Sequence, residues 1–141
     1  MALQLDTSTA FGARVARRLQ EEVIIWLTTV RADGTPQPSP VWFLWDGATI
    51  LIYSQPDRPK LRNIGQNPRV ALHFDSDGRG GDIAILTGRA TIDRNAPPAT
   101  QAPAYLDKYR AGIAGIGMTP DSFAAAYSVA VRVTPVSLRG F

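Results

Sequence analysis

Two Asp-Gly pairs, Asp33-Gly34 and Asp46-Gly47, fix what the first half of this chain can become. Each is a tight-turn signal, and each is flanked by residues that suit strands. Before the first lies VIIWLTTV, residues 23–30, a β-branched apolar run that reads as a strand buried on both faces. Between the two lies TPQPSPVWFLW, residues 35–45, the return arm of a hairpin. After the second, Thr49 to Tyr53 forms a third strand. Consecutive hairpins of this kind lead to an antiparallel sheet that must curl or stack to bury its apolar face.

The remainder continues the pattern. Residues 68–74 and 83–94 read as further strands, and Gly88 inside the second marks a bulge or a close backbone approach. SVAVRVTPVSL, residues 128–138, alternates as a closing strand. Ser8 or Thr9 caps a helix through Gln20 that aligns Phe11, Val15 and Leu19 on one face, with Arg14, Arg17 and Arg18 on its solvated remainder. A short helix is expected over residues 105–111, and Thr119-Pro120-Asp121 opens another that runs to Tyr127. The expected fold is mainly β with short helices: a six-stranded antiparallel barrel with helical caps, one domain over residues 1–141.

Composition removes several kinds of chemistry. The chain has no cysteine and one histidine, so it can build neither a thiolate site nor a zinc site of several His and Cys ligands. It contains no GxSxG, Walker loop or GxGxxG. A net charge of +3 favours an anionic ligand, but the excess is too scattered to argue nucleic acid. The aromatic run Val41-Trp42-Phe43-Leu44-Trp45 reads as core and not as a base-stacking platform. No run of eighteen apolar residues spans a membrane, and the N-terminal residues lack the apolar centre of a signal peptide, so the expected compartment is the cytoplasm.

Two stretches remain as candidate ligand sites. In YSQPDRPKLRNIGQNPRV, residues 53–70, a strand end leads through a polar loop into a basic helical turn. Ser54, Arg58, Lys60, Arg62 and Asn63 fall close together, with Asp57 the only carboxylate among them. Cations and hydroxyls beside a helix start suit a phosphate, because the first amides lack partners and the macrodipole favours an anion. Pro59 fits the first turn of that helix. The other reading is a solvated basic loop. In the second stretch, Pro36, Pro38 and Pro40 strip donors from one side of a strand, and Gln37 and Ser39 point to the other face. This is either a ligand wall or an edge strand protected against aggregation.

Read in order, DGTPQPSPVWF, DG, a strand ending YS, and RPKLRNIGQNPRVAL resemble the split-barrel flavin-binding family of pyridoxamine 5'-phosphate oxidase and its deazaflavin (F420)-dependent relatives. The likeness runs from about Phe11 to the closing strand and is nearest to the small single-domain F420-dependent members. It implies a homodimer with the cofactor in a groove between two barrels. It also implies phosphate contacts from Lys60, Arg58 and Ser54, a ring wall from Gln37, Ser39 and the backbone at Val41, and a loop-holding or phosphate-touching Asn63. The chain lacks the C-terminal segment through which pyridoxamine phosphate oxidases bind substrate, which favours a reductase.

The resemblance therefore implies an F420-dependent oxidoreductase that passes a hydride to an unsaturated small molecule. FMN is the alternative cofactor. A non-catalytic carrier of F420 or of a haem-breakdown product is the alternative of another class. Arg62, Arg69 and Arg79 are candidates for the carboxylate tail of F420, and Tyr53, Tyr127 or solvent for the proton donor.

Overall fold

The computed structural model describes residues 3–141. Helix α1 (Ala10–Glu21) begins at Thr9, whose hydroxyl accepts from the Gly12 amide at 3.0 Å, and buries Val15 and Leu19. Seven strands follow: β1 (Ile24–Val30), β2 (Pro36–Trp42), β3 (Leu44–Trp45), β4 (Ile50–Ser54), β5 (Arg69–His73), β6 (Ala84–Ile92) and β7 (Val129–Gly140). Helix α2 (Pro59–Gln66) joins β4 to β5, and α3 (Pro103–Gly115) and α4 (Pro120–Ala126) lie between β6 and β7. Among the described residues, no helix is long and apolar enough to cross a membrane.

All seven strands form one antiparallel sheet in the order β2-β1-β5-β6-β7-β4-β3. The two strands at opposite ends of that order, β2 and β3, are separated in sequence by Phe43 alone. The covalent chain thus closes the barrel where no hydrogen-bond ladder does. This accounts for seven strands where six were expected: the return arm Thr35–Trp45 is two strands, one pairing with β1 and the other with β4. Phe43 belongs to neither ladder, so its backbone needs other partners. The Tyr109 hydroxyl accepts from the Phe43 amide at 2.8 Å, and the Phe43 carbonyl accepts from Lys108 Nζ at 2.9 Å. The same phenol reaches Val23 O at 2.7 Å and Phe43 O at 2.9 Å, so one proton serves two carbonyls.

Both Asp-Gly turns form, with Gly34 and Gly47 at φ of 87° and 97°. Asp46 Oδ1 accepts from the amides of Ala48 and Thr49, which tightens the second turn. The expectation that β1 is buried on both faces fails: its burial alternates, with Ile25, Leu27 and Thr29 buried and Trp26 and Thr28 half-buried on the outer face. The strand buried on both faces is β4. Ile50 and Ile52 enter the barrel core with Leu27, Phe43, Leu72 and Val131, whereas Leu51 and Tyr53 enter a second core beneath α3 and α4. Gly88 meets both readings offered for it. The β6–β7 register shifts there, and a Cβ would lie 2.5 Å from Thr134 O. Arg18 is more than a solvated face residue: its guanidinium donates to Asp75 O and Asp82 O and lies over the Phe74 ring.

Candidate functional site

Strand β2 pairs with β1 from Val30↔Pro36 to Ile24↔Trp42 and is an edge strand. Proline cannot donate, so Pro36, Pro38 and Pro40 take the positions whose backbone faces away from β1. Their side chains are exposed, whereas Gln37 and Ser39 are half-buried and Val41 is buried. Beyond the Phe43 corner, β2 and β4 therefore diverge without a ladder between them. The chain leaving β4 turns through residues 55–58, with Asp57 in the left-handed region at φ 62°, a conformation that Asp tolerates better than most residues. It enters α2 at Pro59, and the start of that helix stands across the open end of the split.

Two hollows meet there. A groove of about 220 Å³ is lined by Thr29, Gln37, Pro38, Ser39, Arg58 and Lys60. A larger cleft of about 430 Å³ runs from Val41, Ser54, Arg58 and Lys60 to an aromatic end at Trp42, Tyr105, Phe123 and Tyr127. Arg58 and Lys60 line both. Arg58 is the N-cap of α2 and no side chain caps that helix. The Arg58 guanidinium bonds to the Gln55 side-chain oxygen. Among the described residues, no carboxylate forms an ion pair with Arg58 or Lys60. Burial, followed by repulsion from Arg58, pushes the Lys60 ammonium below its usual range. An anion between the two would counter both effects.

The seven residues expected at the site gather around this junction in different positions. Gln37 and Ser39 face the groove, and Val41 and Ser54 face the cleft. Ser54 is buried and its hydroxyl donates to Gln55 O at 2.8 Å, so it shapes the loop. Asn63 lies behind the groove, buried, and donates to Thr29 Oγ1 at 3.0 Å and to Gln37 Oε1 at 2.8 Å. Both protons of its amide are thereby used, and α2 is tied to β1 and β2. The same bond orients the Gln37 amide: with its oxygen held by Asn63, its NH₂ is the end left to donate.

Of the three arginines named for an acidic tail, Arg62 lines a hollow of about 300 Å³ with Arg31 and Gln66, next to Gln37 and Asn63. Arg69 stands opposite Arg89 on the outer sheet face, and neither it nor Arg79 lines the groove or the cleft. Of the proposed proton donors, Tyr53 gives its proton to Pro97 O at 2.7 Å. Tyr127 lines the cleft, with its ring stacked on Phe123 at 4.4 Å.

One residue escaped the sequence reading. Tyr105 lines the cleft, is fully buried, and has a hydroxyl with no hydrogen-bond partner among the described residues. Burial above all, then the neighbouring phenols Tyr109, Tyr53 and Tyr127, pushes its ionisation far above the ordinary tyrosine range, so it is a neutral donor. The only hint in the sequence was the four-residue spacing of Tyr105 and Tyr109, which places both on one helix face.

The match to the pyridoxamine 5'-phosphate oxidase family spans residues 11–140. A solved F420 reductase is 30% identical, covering 87% of this chain and 94% of its own, with a TM-score of 0.64. HutZ of Vibrio cholerae, a heme storage protein, is 16% identical at a TM-score of 0.63, covering 98% of this chain and 95% of its own. A conserved hypothetical protein of Mycobacterium tuberculosis is 20% identical at a TM-score of 0.69, covering 90% and 81%. The last two are evidence of shared fold alone. With a family match over nearly the full length and the split between β2 and β4 in place, the chain belongs to the pyridoxamine 5'-phosphate oxidase family.

Proposed function

We propose that the protein is an F420-dependent oxidoreductase that reduces an unsaturated small molecule. The observation that carries this reading is the pair Arg58 and Lys60 at the start of α2, cationic and without a carboxylate partner among the described residues. Such a pair fits a phosphate monoester on a cofactor arm. Gln37, Ser39 and the Val41 backbone wall the ring, and the Gln37 NH₂ donates to it. Asn63 acts behind them as a positioning residue. Arg62 and Arg31 extend the cationic surface beyond the phosphate, which supports a cofactor with a carboxylate tail over FMN. The 30% identity to an F420 reductase supports the same choice.

When bound, the reduced deazaflavin would supply a hydride to an electron-poor double bond, and a cleft phenol or water would supply the balancing proton. The residues of the chain hold the acceptor against the ring, exclude water with the aromatic end of the cleft, and place a donor where negative charge develops. The outer face of β1, with Trp26 half-exposed, is available to a second copy in a homodimer. Light scattering then gives twice the 15.3 kDa chain mass.

The deciding experiment titrates the purified protein separately with F420 and FMN. Lys60→Ala removes a charge-assisted contact worth roughly 1.5–3 kcal/mol, which is about ten- to a hundredfold in affinity. Arg17→Ala on α1 leaves binding intact. A protein that retains yellow FMN through gel filtration assigns the site to FMN. Equal, small effects of both substitutions would reduce the basic stretch to a solvated loop.

A further inference from the structure

Of the fifteen lysines and arginines in the chain, only two are lysines, Lys60 and Lys108. Arginine stays charged wherever it is placed, whereas a lysine can give up its proton when burial takes water from it. Lys60 belongs to the pair at the start of α2. Lys108 lines neither the groove nor the cleft. It lies on α3, half-buried, at the corner where the chain closes the barrel. Its Nζ is 2.9 Å from Phe43 O and 3.8 Å from the centre of the Phe43 ring. Among the described residues, no carboxylate forms an ion pair with it.

The corner holds this amine still. The Phe43 carbonyl and ring fix Nζ from two sides, and the Tyr109 ring centre stands 5.3 Å away. Few charged groups face it. Glu22, at the end of α1, favours the ammonium, and Asp107 and Arg110 on α3 reach one another at 4.0 Å. Burial pushes the Tyr109 phenol above the ordinary tyrosine range, so it is neutral. Burial also outweighs Glu22 and brings the Lys108 ammonium down to about 8. With one N–H given to Phe43 O, the lone pair of the neutral amine points away from that carbonyl.

We propose that Lys108 is an acylation site, whose amine takes a small acyl group from an acyl phosphate. The neutral nitrogen forms a bond to the acyl carbon, and the bond from that carbon to the phosphate oxygen breaks. Phosphate leaves with the electron pair, and one amine proton passes to it or to water. The product is a neutral amide with a single N–H. That count fits the corner, because Phe43 O takes one hydrogen from this nitrogen and the charge that burial disfavours is gone. An imine formed with an aldehyde would leave the neutral nitrogen no hydrogen to give, so the corner suits acyl transfer over that chemistry. The donor is small because the amine is half-buried against a ring. The proposal does not depend on which cofactor the protein binds.

The test incubates the protein with acetyl phosphate and follows the Lys108 peptide by mass mapping over time. At about pH 7.5 the neutral fraction of this amine is roughly two-hundredfold that of an ordinary lysine, and its lower basicity takes back about a factor of ten. Lys108 should therefore acetylate about tenfold faster in the folded protein than in the same protein unfolded in guanidinium chloride. The folded rate should level off above about pH 8, while the unfolded rate keeps rising towards the ordinary lysine range. Lys108→Arg, which keeps a cation on the corner, should lose the label from that peptide. The acetylated protein should melt level with the unmodified protein or above it at neutral pH, because the amide carries no half-buried charge. A folded rate at or below the unfolded one, a rate that climbs without levelling, or a label that survives Lys108→Arg would overturn the proposal. So would acetylated protein that melts several degrees lower, since the corner would then depend on the charge.

Discussion

Replacing Tyr109 by Phe tests the closure of the barrel at its most exposed assumption. The phenol oxygen accepts from the Phe43 amide at 2.8 Å and donates towards Val23 O and Phe43 O, at 2.7 and 2.9 Å. Phe43 is fully buried, so water cannot replace the lost acceptor. Its carbonyl keeps Lys108 Nζ at 2.9 Å, but its N–H is left alone. Removing one partner of a buried pair costs about 1–3 kcal/mol, and the aromatic packing of the ring is retained. With the Val23 carbonyl also deprived of its donor, about 2–3 kcal/mol is expected, or roughly a 30- to 150-fold loss in the folding constant. For a chain of this size that is roughly 6–15 °C in melting temperature. Urea titration followed by tryptophan fluorescence and by far-ultraviolet circular dichroism measures it directly. A loss under about 0.5 kcal/mol with coincident transitions would mean that the corner is held by side-chain packing, and the role given to this hydroxyl would be refuted.

Four further outcomes follow from the geometry. Gly88→Ala should cost about 1–3 kcal/mol or more, because its Cβ meets the backbone carbonyl of Thr134; Gly65→Ala in α2, with open space around it, should gain about 0.5–1 kcal/mol in the same denaturation assay. Asn63→Ala should destabilise by about 1–3 kcal/mol and weaken cofactor binding without touching the phosphate, since Gln37 loses the bond that orients it; unchanged binding in a folded variant would remove its positioning role. Burial lowers the Lys108 ammonium to about 8, against a weaker opposite pull from Glu22. The unfolded chain then binds more protons between about pH 8 and the ordinary lysine range. Stability from this group therefore rises with pH across that window, and wild type should gain on Lys108→Met between pH 8 and 10; a flat difference would contradict the assignment.

Much of the fold was legible because local chemistry and tertiary need agree in it. Asp33-Gly34 and Asp46-Gly47 specify turns whichever sheet they serve, and Thr119-Pro120 specifies a helix start whatever the helix covers. The break at Phe43 was not legible. Its cause is a phenol 66 positions away, and Val41-Trp42-Phe43-Leu44-Trp45 is apolar without interruption. The helix expected over 105–111 runs from Pro103 to Gly115, and a Cβ on Gly112 would lie 3.2 Å from the Trp42 ring, so the bare glycine leaves that ring its room. At the site, the cluster Ser54, Arg58, Lys60 and Asn63 could be read because its members are near neighbours in sequence. Their division of labour could not: Asn63 is buried and bonded to Thr29 of β1 and Gln37 of β2, and Ser54 is buried at the end of β4 with its hydroxyl turned onto Gln55 O. Of the three tryptophans, Trp42 and Trp45 are taken up inside the chain, and Trp26 alone stands on the outer face, its indole N–H on Asp75.

The proline edge of β2 has a consequence for what can lie against it. An ordinary edge strand offers donors and acceptors alternately, and any extended backbone can zip onto it. This one offers carbonyls alone at Pro36, Pro38 and Pro40, so neither β4 nor a strand from another molecule can form a two-way ladder there. The split is therefore held open by what the chain cannot donate, and not by a wedge inserted into it. It also has a polarity: whatever settles along that edge must bring its own hydrogens.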